Sequence, residues 1–100
     1  MGEVIFHRAV QKDMNGIYGH YREESGEALA NRFYDAFMTA VGKALANPRH
    51  FHPLSQGSIW RRAAIEGFPH HFVYEETTYG IRVLVLRHDR RRESFGMRRR

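Results

Sequence analysis

Residues 67–92 read GFPHHFVYEETTYGIRVLVLRHDRRR, and the period of their apolar positions decides the fold. His71-Phe72-Val73-Tyr74 and Ile81-Arg82-Val83-Leu84-Val85-Leu86-Arg87 are rich in β-branched and aromatic residues, which suit a pleated, half-buried surface. Gly67, Pro69 and Gly80 punctuate the two runs and mark turns. The stretch therefore predicts two strands followed by a dense arginine cluster. Just upstream, Ile59 to Ile65 predicts another strand, with Trp60 and Arg62 on one face and Arg61, Ala63 and Ile65 on the other.

Before Pro48 the period is helical. Val10, Met14, Ile17 and Tyr21 form one stripe of a helix running from about residue 9 to 24. Gly16 and Gly19 each cost that helix roughly 1 kcal/mol relative to Ala, so tertiary packing must hold it. Ser25 is placed to cap a second helix with Glu27 in its first turn; Leu29, Phe33, Phe37, Ala40 and Ala44 define its buried face. Asn47-Pro48 ends it, and residues 48–57, rich in His, Pro, Ser and Gly, make a connecting loop. Val4-Ile5-Phe6 opens the chain as a short strand. The order is βααβββ, and a helical hairpin packed on one face of a mostly antiparallel, twisted sheet buries both apolar sets, an α+β fold.

A length of 100 residues fits one domain with one modest core. Apolar residues make up 42 % and aromatics 13 %, enough to build it. With no cysteine, disulfides, thiolate nucleophiles and Cys-based metal sites are excluded. The apolar runs fall short of a membrane span. The start MGEVIFHRAV lacks the flank and apolar region of a signal peptide, and Phe6 breaks the myristoylation pattern, so the expected compartment is the cytoplasm.

Charge is distributed unevenly. Residues 1–50 carry six basic and six acidic side chains, whereas residues 51–100 carry ten and five, so the net +5 lies in the second half. Fourteen of the sixteen cations are Arg, whose planar fork suits carboxylates and phosphates. Either an acidic protein partner or a nucleic acid matches that surface. No helix-turn-helix, zinc-finger or aromatic RNA-binding pattern accompanies Arg90 to Arg92 or Arg98 to Arg100, and residues 95–100 are expected to form a mobile basic tail. His50-Phe51-His52 has alternate ligands, but no Cys or nearby carboxylate completes a tetrahedral set, so no metal or other cofactor is expected.

The chain resembles the RelE/ParE superfamily of type II toxins, in the ParE-like branch described as plasmid stabilisation system proteins. The resemblance rests on the Asp13-Met14 pair with Ile17, the Phe33-containing helix ending at NPR, WRRAAIEGFPHHFVYE, and IRVLVLRHDRRRESF. Arg61, Arg62, Phe68, Pro69, Tyr74, His88, Arg90 and Arg91 stand at matching positions. The resemblance implies a toxin held silent by a cognate antitoxin, in a toxin–antitoxin hetero-oligomer, with DNA gyrase as target. It assigns Arg61, Arg62, His70, Arg87, Arg90, Arg91 and Arg92 to the surface that contacts target and antitoxin.

The alternative within the superfamily is a RelE-like, metal-independent endonuclease acting on mRNA at the ribosome. Such chemistry needs a proton acceptor, a proton donor and cations on the phosphoryl oxygens, and His71, His88 and Arg91 are the candidates. The RelE pattern is incomplete here. The terminal tyrosine is absent, with Phe95 nearest; His71 stands where RelE has an arginine; and the second half holds no lysine. His70 replaces the usual Tyr after Phe-Pro of the ParE branch. Alternation along the strand sends one of His70 and His71 into the sheet face and the other to solvent.

Overall fold

The alternation in the second half becomes an antiparallel ladder in the computed structural model, which describes residues 2–100. β3 (His70–Glu76) pairs with β4 (Gly80–His88) and, on its other side, with β2 (Trp60–Ala64). β1 (Glu3–Phe6) joins β4 in parallel, giving the order β1-β4-β3-β2. Gly80 opens β4 where a Cβ would collide with the Glu3 carbonyl oxygen. A side chain there would push the two strands apart.

Helices α1 (Val10–Ser25) and α2 (Glu27–Ala46) lie on one face of the sheet. Ser25 is not the cap of α2: it ends α1, and the chain reverses at Gly26, whose φ of 94° suits glycine. No side chain caps α2. Its buried face is Ala30, Phe33, Phe37, Ala40, Val41 and Ala44, so Ala30 and Val41 join it while Leu29 is only half-buried. Phe33, Phe37, Ala40, Val41 and Ala44, with Val10 and Met14 of α1, pack on Ala63, Ile65, Phe72, Tyr74, Ile81, Val83 and Leu86 of the sheet side. Ile59, assigned to a strand by pattern, lies outside β2 and is 67 % exposed.

The opposite face of the sheet is covered by loops. Val73, Leu84 and Val85 are buried there under Leu54, Trp60, Phe95 and Met97. A bulge makes this possible. Val73 pairs with Val85 but Tyr74 with Val83, so Leu84 is the extra residue, and two consecutive β4 side chains turn to the same face. Beyond it the phase is inverted: Leu86 and His88 face the helices and Arg87 faces away. The 48–57 loop runs along the outer edge of β2, held by Leu54 N–H to Trp60 O, Arg62 N–H to His52 O and the Tyr74 hydroxyl donating to Pro48 O at 2.8 Å.

The C-terminal segment is not a free tail. Arg99 donates to Asp13 Oδ2 at 2.6 Å and Oδ1 at 2.9 Å, and to Leu84 O at 3.2 Å. Phe95 and Met97 cover the apolar back face. The expected mobile tail over residues 95–100 is therefore corrected for Phe95 to Arg99: apolar burial and a paired arginine fix the segment, while Arg98 and Arg100 are exposed. Among the described residues no helix is long and apolar enough to cross a membrane.

Candidate functional site

The residues singled out in sequence converge at the end of β3 and β4, but on two faces. On the back face His71 is 1 % exposed. Arg87 Nε donates to His71 Nε2 at 2.9 Å, and His71 Nδ1 meets Asp89 Oδ1 at 2.8 Å. Because Arg87 always carries its proton, Nε2 must accept, which leaves the imidazole proton on Nδ1 to bond Asp89. Burial holds the His71 pKa below the usual histidine range, opposed by the Asp89 hydrogen bond and reinforced by Arg62 and Arg87. The ring is thus a neutral connector.

Arg87 is 3 % exposed. Its Nη1 donates to the carbonyls of Glu93 at 2.7 Å and Phe95 at 2.8 Å, so it ties the segment after β4 to the sheet. The resemblance placed Arg87 on the recognition surface; its burial and its three intramolecular hydrogen bonds take it off. Arg62 remains at the surface, with Nη2 3.3 Å from Asp89 Oδ1. Arg61 is half-buried and donates to Phe51 O at 2.7 Å.

On the helix face His70 is also buried, at 6 % exposure, so it too leaves the proposed recognition surface. Its ring lies 5.0 Å from that of Phe33, 5.9 Å from Tyr21 and 4.9 Å from His88, centre to centre. Burial, then the neighbouring His88, push its pKa down to about 4, against a smaller opposing effect of Asp89. The expectation that one of His70 and His71 faces solvent is overturned. They do point to opposite faces, but the helices cover one and the 87–97 segment the other.

Arg90, Arg91 and Arg92 are exposed on the turn that follows. The turn is braced from within. Arg90 N–H donates to His88 Nδ1 at 2.9 Å, Arg91 N–H to His88 O at 2.9 Å, and Phe95 N–H to Arg92 O at 2.9 Å. The Arg91 guanidinium sits 4.4 Å above the Phe95 ring, a cation–π contact. Phe95, the aromatic nearest to where the RelE pattern expects its terminal tyrosine, therefore has a packing role. His88 and Arg91 meet along one cleft, whereas His71 lies behind the sheet, so the three candidates for a nuclease do not converge.

Pattern reading missed Asp13, Arg99, Lys12 and His20 as parts of this region. Asp13 carried a usable signal: it sits three residues after Val10, on the apolar flank of α1, where a carboxylate requires a partner. Among the described residues no group of three or more His, Cys, Asp or Glu side chains could hold a metal ion.

A family model described as ParE toxin of type II toxin-antitoxin system, parDE, matches residues 4–94. The chain belongs to the ParE toxin family. A solved structure, the "Chromosomal ParDE TA system from P. aeruginosa", is similar to this ParE family member with a TM-score of 0.73 and 20 % sequence identity, covering 88 % of this chain and 96 % of that one. At that identity the likeness speaks for the fold. No curated protein matches the sequence.

Proposed function

We propose that this chain is a ParE-type toxin that inhibits DNA gyrase in the cytoplasm and is neutralised by a cognate antitoxin in a hetero-oligomeric complex. The observation that carries the reading is the match to the ParE toxin family over residues 4–94. The exposed arginines support this reading. Arg90, Arg91 and Arg92 stand exposed on a braced turn, with Arg62 nearby through the Asp89 contact. A braced backbone leaves less freedom to lose on meeting a partner's carboxylates. An acidic antitoxin segment that folds on binding is the natural complement.

The separation of His71 from His88 and Arg91 favours this reading over mRNA cleavage. Neutral His71 has both ring nitrogens occupied by Asp89 and Arg87, so it has no free position for proton transfer to a ribose hydroxyl. The direct test adds purified chain to DNA gyrase and follows supercoiling. Dose-dependent inhibition that the antitoxin reverses supports the proposal; unaffected supercoiling, with cleavage of mRNA on ribosomes, overturns it.

A further inference from the structure

Between α1 and the end of β4 lies an open cleft of about 550 Å³. Its polar lining includes Lys12 and His20 from α1, His70 and His88 from the strand ends, and Arg91 from the turn. Ile17, Leu86 and Phe95 give it an apolar wall. The single carboxylate among its lining residues is Asp13, whose two oxygens are both held by Arg99. That pair cancels, so Lys12 and Arg91 leave the cleft with a net positive charge.

Two histidines add donors. His88 Nδ1 receives the Arg90 amide, so the proton of its neutral ring lies on Nε2. His70 Nδ1 is buried with no hydrogen-bond partner. Folded proteins leave few such groups unsatisfied, and His70 lines this cleft. The volume falls in the range of small-molecule sites, which combine apolar walls with a few convergent polar groups. It exceeds what a bare phosphate needs.

We propose that this cleft binds a phosphorylated small molecule of nucleotide size, its phosphoryl oxygens held by Lys12, Arg91 and His88 Nε2–H and its ring against Ile17 and Phe95. Clustered cationic donors form the charge-assisted hydrogen bonds that favour phosphoryl oxygens. The site goes beyond the toxin reading, and it is testable on the isolated chain whatever the toxin's target.

The test is titration of the full chain with inorganic phosphate and with 5′-AMP at pH 7, followed by calorimetry and by NMR of the histidine rings. The expected result is saturable binding of both probes that perturbs His20 and His88, with 5′-AMP about tenfold tighter because its ring meets the apolar wall. K12Q/R91Q should weaken both by at least about tenfold, the scale of a lost charged hydrogen bond. R32Q, at an exposed arginine of α2, should bind as the parent does. Lys12 and Arg91 are exposed, and thermal unfolding of the double variant verifies that it folds. Perturbation that never saturates, or that is unchanged in K12Q/R91Q, overturns the site. 5′-AMP binding no tighter than phosphate overturns the assigned ligand size.

Discussion

Arg99 holds both carboxylate oxygens of Asp13 across a sequence separation of 86 residues. The same carboxylate accepts the Leu86 amide at 3.1 Å, and the same guanidinium donates to the Leu84 carbonyl. β1 pairs with β4 only through Val83, so from Leu84 onward that edge of β4 lacks a neighbouring strand. The ion pair stands in for one, satisfying backbone groups that are costly to leave unpaired. It also fixes the end of the segment that covers the back face.

Removing one partner of this pair should therefore destabilise the domain strongly, because the Asp13 side chain is only 7 % exposed. Asp13→Ala and Arg99→Ala are each expected to cost about 3 kcal/mol in urea unfolding. The double variant should cost less than the sum by at least about 1 kcal/mol. Strict additivity shows that the two side chains act independently.

Much of the fold could be read from residue pattern, and the gaps have physical causes. Val4 to Phe6, the stripe Val10, Met14, Ile17 and Tyr21, and the β-branched runs each carry a clear period, so strand and helix identities followed. The phase of β4 did not. Residues 83–86 are all apolar, so nothing in the sequence reveals the bulge at Leu84 that sends Arg87 inward behind the sheet and His88 toward the helices. Burial of His71 depends on cover by a segment more than fifteen residues away, which strand alternation cannot see. The exposed run Arg90 to Arg92 was legible as charge; its bracing through His88 and Phe95 was not. Asp13 was visible as a polar residue on an apolar flank, but its partner at Arg99 emerges only in three dimensions.

Stability should depend on pH through the two buried histidines. His70, lowered to about 4, and His71, also lowered, are neutral in the fold, while in the unfolded chain they titrate near the ordinary histidine value of 6.5. Below that value the unfolded state binds more protons, so stability rises with pH. The contribution is fully present above about pH 6.5 and is lost as pH falls toward about 4, by roughly 2–3 kcal/mol for His70 alone. Thermal melts from pH 4.5 to 7.5 should show the decline, and His70→Phe should flatten it. A pH-independent melting temperature contradicts this assignment.

The arginines should divide by role. R90E/R91E is expected to abolish antitoxin binding or toxicity while leaving the melting temperature within about 2 °C, since both side chains are exposed. Arg87→Ala should instead destabilise by about 3 kcal/mol, because it leaves the Glu93 and Phe95 carbonyls and His71 Nε2 without their donor. Collapse of R90E/R91E on heating makes those arginines structural.

Phe37→Asp should prevent folding. Phe37 is 3 % exposed and its ring packs 5.5 Å from that of Phe72, where α2 meets the sheet. A carboxylate there has no partner and a large desolvation cost. Circular dichroism should show no cooperative transition, and a soluble, cooperatively unfolding variant contradicts the placement of α2.

What the ParE family member does to a cell is tested most directly by pulse-labelling of DNA and protein synthesis in the first minutes after its induction, without antitoxin. Prompt loss of DNA synthesis while translation continues is the predicted result. Prompt loss of translation with DNA synthesis intact, or no effect on either, contradicts it.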